Sequence, residues 1–295
     1  MQKANEIREH ISAIEQTRKI TGAMEMIASN RMRQVMGHIE HNRTYFTYIR
    51  RTMKEILTSV QDISHPFLID RERNHRTYVV ISGDKGFCGA HNSTVLNYAL
   101  EKFKEKPGSG LITLGHTAEA FFRSHGIDPD ICMMGIVQDP TLPRAREVAR
   151  ELTDLYQNER TDEIFVIYTS FYGETKRQPV EAHLLPVMPH DYGDIRDAQE
   201  LASVMYHPSA QTVLDMMVPQ FVIGLIFGIM VQAYASENFA RMTAMRSATT
   251  NAKEMIDKLN TQYNLARQSA ITNELAEIAD AAEILKGDEN YDGEY

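Results

Sequence analysis

The sequence predicts an α/β domain inserted between two long helices that pair as a coiled coil. Apolar residues recur at three- and four-residue steps near both ends of the 295-residue chain, which is the helical period. Alternating strand and helix signals fill the middle of the chain. With 43% hydrophobic and 24% charged residues, the composition is that of an ordinary globular protein and excludes wholesale disorder.

The first long helix is predicted over residues 1–58. Its apolar stripe, with a slip in register after the third member, comprises Ile7, Ile11, Ile14, Ile20, Met24, Ile27, Val35 and Ile39. At about 1.5 Å per residue, such a helix would be roughly 80 Å long. That length exceeds what a compact domain can cover, so we expect the stripe to pack against another helix.

A doubly wound α/β domain is predicted over residues 76–190. β-branched and apolar runs predict strands, and the amphipathic segments between them predict helices. The strands are predicted at 77–82, 110–114, 163–169 and 180–187, and the helices at 93–106, 117–125 and 144–158. Alternation of this kind is typical of a sheet with helices on both faces.

The second long helix is predicted over residues 209–286. Pro208 suits a helix start, whereas Pro219 predicts either a kink or a later start. Two long helices at opposite ends of one chain can bury their stripes against each other, which predicts the coiled coil. Residues 287–295 form an acidic tail, of which we expect residues 288–295 to be disordered.

Residues 216–231 form an apolar run that includes Gly224 and Gly228 at the spacing of a membrane-helix packing motif. Pro219 and Gln220 interrupt the run. Its apolar core is therefore shorter than the ~20 residues that a span needs. We expect a helix buried against the α/β domain rather than a membrane span.

The turn at residues 82–92 invites a phosphate-binding interpretation, because it is rich in glycine and follows the first strand. It matches neither G-x-G-x-x-G nor G-x-x-x-x-G-K, and its Ser82 and Lys85 lack the companion motifs of an S-x-x-K enzyme. An enzyme that uses this domain remains an alternative, but we predict no catalytic residue, no cofactor and no metal site. Cys88 is expected to be a buried thiol, the alternative being a thiol activated at a helix N-terminus.

The charge of the chain is unevenly distributed. The formal net charge is −9, whereas residues 1–57 alone carry a net charge of +4. The acidic balance argues against a protein that coats nucleic acid. The basic first helix indicates either an acidic partner surface or a solvated helix face.

Three stretches resemble the gamma subunit of F-type ATP synthases, the central rotor shaft. They are residues 6–33, with TRKITGAMEMIA at 17–28; residues 86–92, GFCGAHN; and residues 236–278, which open with SENFARMTAM. The resemblance covers nearly the whole chain. It implies a long antiparallel coiled coil of the N- and C-terminal helices flanking an inserted Rossmann-like α/β domain that binds no nucleotide.

The resemblance implies a central-stalk rotor subunit that is not itself an enzyme. Such a subunit couples proton or sodium translocation through a membrane ring to ATP synthesis or hydrolysis at an alpha–beta hexamer. The implied partners are the alpha, beta and epsilon subunits and the c-type ring, with no nucleic acid and no small-molecule substrate. The implied location is peripheral, on the cytoplasmic face of the cell (inner) membrane.

The sequence departs from the family at Gly22, where lysine is usual, and in its acidic charge and tail. These departures keep two alternatives open, a gamma-like paralogue in a divergent rotary ATPase and a coiled-coil scaffold. By position, the residues implied to contact the beta subunit are Arg267, Gln268, Thr272, Arg241, Met24, Arg31 and Arg33. Those implied for a foot that meets the epsilon subunit and the ring are Tyr206 and His207.

Overall fold

The structure, a computed structural model, describes residues 2–59, 64–69, 71, 75–171, 177–188 and 206–289. The chain divides into two compact units. The first unit comprises Met1–Met26 and Ala244–Tyr295, and the second comprises Ile27–Thr243. Two long helices, α1 (Gln2–Ser59) and the C-terminal helix α5 (Ala210–Glu289), contribute to both.

The domain limits predicted from the sequence stay a prediction, and parts of them lie outside the described residues. These parts are residue 1 of the predicted first helix, residues 172–176 and 189–190 of the predicted α/β domain, and residues 290–295 of the predicted tail. Residues 288–289, which were expected to be disordered, instead form the end of α5.

The described part of the second unit contains a five-stranded sheet in the order β3-β2-β1-β4-β5. Its strands are β1 (Arg76–Ile81), β2 (Gly110–Leu114), β3 (Ile131–Met133), β4 (Glu163–Phe171) and β5 (Arg177–Leu185). The first four strands are parallel, and β5 pairs antiparallel to β4 at one edge. The sequence did not predict β3, because three residues are too few to show a period.

Helices cover both faces of this sheet, which confirms the doubly wound prediction. Tyr78 and Val80 of β1 face α2 (His91–Glu105) and α3 (His116–Ser124). The alternate residues of the same strand lie in a larger core, which includes α4 (Leu142–Gln157) and segments of α1 and α5. A 3-10 helix, Pro66–Leu68, follows α1.

The apolar run in α5 is part of that larger core. Among the described residues, α5 is the helix that is long and apolar enough to cross a membrane, and 56% of its most apolar window is buried. Val222, Ile226 and Met230 are at most 2% exposed, so packing inside the second unit accounts for their hydrophobicity. The helix begins at Ala210, so the predicted alternative start at Pro219 is wrong.

The first unit is an antiparallel pair formed by α1 and α5. The Thr21 hydroxyl lies 2.8 Å from the Thr249 hydroxyl. One turn further along α1, Glu25 accepts a hydrogen bond from Arg246 at 2.8 Å. Residue numbers rise along α1 as they fall along α5, which confirms the antiparallel coiled coil.

The buried face of α1 differs from the predicted stripe. Ile20 and Ile27 are more than half exposed, whereas Thr21 and Ala28 are buried. One helical period without a slip connects the residues that are buried or half-buried on this face, namely Ile7, Ile11, Ile14, Arg18, Thr21, Ala28, Met32 and Val35. The predicted slip is wrong because a small or hydroxyl side chain takes the inner position at 21 and 28.

Candidate functional site

A buried ion pair on α5 holds the loop that follows β1. Arg241 is 7% exposed, and its guanidinium donates a hydrogen bond to the Glu237 carboxylate at 2.5 Å. The same guanidinium donates to the backbone carbonyls of Lys85 and Gly86 at 3.2 Å each. The planar guanidinium spreads five N–H donors over three nitrogens, so it can bond a carboxylate and two carbonyls that lie on different sides of it.

The Glu237 carboxylate also lies directly against the start of this loop. A Cβ added to Gly83 would stand 2.9 Å from Glu237 Cδ, so a side chain at position 83 would displace the carboxylate. The Gly83 N–H donates to Asn92 Oδ1 at 3.1 Å, which closes the loop on the first turn of α2. Burial raises the pKa of Glu237, against the opposing effect of the Arg241 charge.

Two further titratable groups sit in or beside this loop. Burial raises the pKa of the Cys88 thiol, which is 2% exposed. The buried-thiol prediction is therefore confirmed, and the alternative of an activated thiol is wrong. Burial, together with the charges of Arg241 and Arg177, lowers the pKa of His91 to about 4, so this imidazole is neutral near pH 7.

These features make the loop a structural joint rather than a reaction centre. Cys88 is buried and protonated, and His91 is neutral. The Arg241 guanidinium near His91 is already hydrogen-bonded to Glu237 and to the loop carbonyls. The part of the chain that the structure describes contains no group of three or more His, Cys, Asp or Glu side chains that could hold a metal ion.

A second candidate surface lies on the part of α5 that belongs to the first unit. Arg267, Gln268 and Thr272 are exposed, and the Thr272 hydroxyl donates to the Gln268 carbonyl at 2.9 Å. At helical spacing, Gln268 and Thr272 share a face with apolar residues that are 44–66% exposed, namely Ile271, Leu275 and Ile278. The result is a mixed polar and apolar strip next to an exposed arginine.

The predicted contact residues of α1 are divided between the two units. Met24, in the first unit, is half-buried. Arg31 and Arg33, in the second unit, are exposed, and Arg33 donates to Asn30 Oδ1 at 2.7 Å. The charge of Arg31 acts on Glu237, so the structure brings Arg31, and not Arg33, toward the buried ion pair.

The residues predicted for the foot precede α5. Tyr206 is half-buried and packs against the larger core, and burial raises the pKa of its hydroxyl. His207 is exposed. Nearby, the Gln211 side chain donates to the Ser64 carbonyl at 2.7 Å, which ties the first turn of α5 to the segment after α1.

The sequence did not predict the contact of Glu237 with Gly83, nor the hydrogen bonding of the Ser236 hydroxyl to the backbone carbonyls of Thr169 and Ser170 in β4. Glu237 and Ser236 stand in the SENFARMTAM stretch, but nothing in that string indicates which other part of the chain they touch. Gly83 lies in the turn that was tested for phosphate binding and set aside. Gly83 and Glu237 are more than 60 positions apart along the chain, as are Ser236 and Thr169, so only the tertiary structure brings each pair together.

The comparisons with known proteins agree along nearly the whole chain. The family model described as ATP synthase matches residues 3–285. An ATP synthase gamma chain from Alkaliphilus metalliredigens is 34% identical over 285 residues, which cover 95% of this chain and 98% of the relative. One from Dechloromonas aromatica is 34% identical over 286 residues, which cover 96% of this chain and 99% of the relative.

Solved structures share the fold. A chain of the Euglena gracilis mitochondrial ATP synthase (OSCP/F1/c-ring, rotational state 3) is 16% identical, with a TM-score of 0.67, and the match covers 97% of this chain and 96% of that one. A chain of the Tetrahymena thermophila mitochondrial ATP synthase (central stalk/c-ring) is 21% identical, with a TM-score of 0.60 over 78% of this chain and 99% of that one.

Proposed function

This chain belongs to the family of ATP synthase gamma chains, and from that premise we propose that it couples ion translocation to ATP chemistry as the central-stalk rotor subunit. The observation that carries this function is the 34% identity that extends over 98% of a gamma chain. The chain is a non-catalytic part of the ATP synthase complex. The alpha and beta subunits hold the ATP chemistry, and the epsilon subunit and c-type ring complete the rotor.

The exposed strip on α5 supports a contact with the beta subunit. Arg267 and Gln268 offer exposed side-chain donors, and Leu275 is 62% exposed on the face that it shares with Gln268. A planar guanidinium binds a carboxylate with two parallel hydrogen bonds. We therefore place a carboxylate of a beta-subunit loop opposite Arg267, with Gln268 and Thr272 supplying neutral hydrogen bonds at its edge.

The basic part of α1 supports a second contact. Arg31 and Arg33 are exposed cations on a segment with net positive charge, which suits an acidic beta-subunit surface. We assign Met24, which precedes these two residues in α1, to the contact with the beta subunit as well. Arg241 is engaged inside this chain, so we assign its effect on the beta subunit to the loop that it holds rather than to a direct contact.

The foot and the location of the complex complete the proposal. We assign Tyr206 and His207 to the contact with the epsilon subunit and the ring. Tyr206 packs against the core and His207 is exposed, so the core holds this segment in place while His207 presents a polar side chain to a partner. The complex would then place this chain peripherally on the cytoplasmic face of the inner membrane, driven by protons or sodium ions.

Reconstitution of ATPase activity tests this function. The chain is mixed with the alpha and beta subunits of its own complex, and hydrolysis is compared between the wild type, Arg267→Ala/Gln268→Ala and the control Lys258→Ala. The control removes another exposed cation of α5. We expect the rate of the double variant to fall by about tenfold or more, since hydrogen bonds to charged groups contribute ~1.5–3 kcal/mol and each ~1.4 kcal/mol is a factor of ten.

Two results would contradict the proposal in different ways. If the wild-type chain does not assemble with a competent hexamer, the rotor assignment fails and the paralogue in a divergent rotary ATPase takes its place. If assembly succeeds and the double variant matches Lys258→Ala in rate, the rotor assignment stands and the contact at Arg267 and Gln268 is refuted.

A further inference from the structure

The order of the strands identifies where a sheet of this kind binds ligands. The chain leaves β1 toward β2 and β3 on one side, then returns to place β4 on the other side of β1. In open α/β sheets, ligands bind in the crevice outside the carboxyl ends of the strands at such a reversal. The crevice in question lies between the end of β1 and the end of β4.

The β4 side of this crevice is occupied by α5. The Ser236 hydroxyl lies 3.0 Å from the carbonyl oxygens of both Thr169 and Ser170, near the carboxyl end of β4, and Ser236 is fully buried. One turn earlier in α5, the Gln232 side-chain oxygen accepts a hydrogen bond from the Phe171 N–H at 3.5 Å. These are polar contacts to strand-end backbone, of the kind a bound ligand would make.

The β1 side is occupied by the next residues of the same helix. Glu237 rests on Gly83, and Arg241 bonds the carbonyls of Lys85 and Gly86. In nucleotide-binding sheets, the loop after β1 approaches an anionic phosphate, and glycine permits the close approach. Here glycine permits the close approach of a carboxylate that belongs to the chain itself.

The ion pair between Glu237 and Arg241 contributes little to the stability of the fold. The side chains of Glu237 and Arg241 are only 10% and 9% exposed. The desolvation of two buried charges offsets much of their attraction, so a buried pair adds little stability over apolar residues of similar size. The pair does, however, fix the relative position of the loop and the helix, because each of its buried donors and acceptors must lie within hydrogen-bond distance of a partner.

We propose that residues 232–241 of α5 act as a built-in substitute for the ligand of this sheet, and that Glu237 and Arg241 are positioning residues that lock the sheet to the rotor helix. The lock keeps α5 from slipping against the end of β1 when torque passes through the helix. This inference rests on the proposed rotor function, because torque is the load that the joint has to resist.

The test uses the complete ATP synthase complex in lipid vesicles and measures two rates for each variant, ATP hydrolysis and ATP-driven ion pumping. Glu237→Gln keeps the size of the side chain and leaves Arg241 buried without its counter-charge. Arg241→Lys keeps the charge but replaces the five donors of a planar guanidinium with the three donors of a single ammonium nitrogen. Glu105→Gln is the control, because it removes the carboxylate of an exposed pair with Lys102 on α2.

We expect the ratio of pumping to hydrolysis to fall about twofold or more in Glu237→Gln and in Arg241→Lys, because an unpaired buried group loosens the joint. The ratio should stay at the wild-type value in Glu105→Gln. A purely structural role would reduce the amount of complex and both rates together, leaving the ratio constant.

If one of the two variants does not assemble, the other still tests the inference. A wild-type ratio in an assembled Glu237→Gln or Arg241→Lys complex overturns the lock. That result leaves the rotor assignment intact, because pumping by the complex would itself confirm it. Failure of the wild-type chain to support pumping would instead overturn the rotor assignment on which the inference depends.

Discussion

Gly224 and Gly228 lie one turn apart in α5, and their surroundings predict opposite effects of the same substitution. A Cβ at Gly224 would lie 2.4 Å from the Phe46 ring of α1, whereas a Cβ at Gly228 would meet nothing within 4 Å. Non-bonded carbon atoms prefer a separation of about 3.5–4.0 Å. The Phe46 ring would therefore have to retreat by about 1 Å to accept alanine at position 224.

Gly224→Ala and Gly228→Ala both gain about 1 kcal/mol of helix propensity. We expect Gly228→Ala to stabilise the chain by roughly that amount. Gly224→Ala carries in addition an overpacking cost of about 1–3 kcal/mol. The free energy of unfolding should therefore differ between the two variants by about 1–3 kcal/mol, in favour of Gly228→Ala.

Urea unfolding followed by far-ultraviolet circular dichroism measures this difference, with each glycine variant serving as the control for the other. Phe46→Leu supplies a second control, because in that background the difference between the two alanine variants should shrink. If Gly224→Ala is as stable as Gly228→Ala while Phe46 is present, the close approach of α1 to α5 at this glycine is refuted.

Two further predictions concern the loop after β1. The folded chain favours neutral His91, because its burial and the charges of Arg241 and Arg177 lower its pKa to about 4, below the 6.5 of an unfolded chain. The contribution of neutral His91 to the free energy of unfolding is complete above pH 6.5 and is lost as the pH falls toward 4. Between pH 7.5 and pH 5, thermal melting should therefore show that the free energy of unfolding falls by about 2 kcal/mol. His91→Gln should lose correspondingly less, and an equal loss in the variant would refute the assignment. For the two thiols, we expect iodoacetamide to label half-buried Cys132 in the native chain but Cys88 only in urea, and mass spectrometry showing native labelling of Cys88 first would contradict its burial.

The elements with a strong local signal were predictable. The strand at 110–114 has the same bounds in the structure, because a short apolar run that ends at Gly115 has few other conformations. The helical period of α5 was also predictable, and apolar residues at three- and four-residue steps along it, such as Leu214, Phe221, Ala252 and Ile256, are buried. Long amphipathic helices repeat their signal many times, so a single exception does not hide the period.

The face of α1 was harder to predict, because its inner positions are not its most hydrophobic ones. Ile20 is 60% exposed, and neighbouring Thr21 is buried in a hydroxyl contact with Thr249. A hydrophobicity pattern assigns isoleucine to the inside and threonine to the surface. The contact between Thr21 and Thr249 places threonine inside and Ile20 at the surface instead, because a hydroxyl that has a hydrogen-bond partner can be buried with little loss of free energy.

Among the candidate sites, the sequence named exposed residues of α5 and, from the buried joint, Arg241 alone. Arg267, Gln268 and Thr272 stand close together on one helix, so a local motif is enough to predict them as a contact surface. Glu237 and Gly83 are far apart in the chain, and neither belongs to a recognisable ligand motif.

The sequence by itself determined the helix–domain–helix organisation, the family, and the absence of a known phosphate-loop motif after β1. Each of these depends on local periodicity or on residues adjacent in the chain. Only the tertiary structure decided which face of α1 is buried, and that α5 fills the crevice between β1 and β4 with Ser236 and Glu237. The reason is physical: burial and buried charge pairing depend on which distant groups meet, and that information is absent from any single segment.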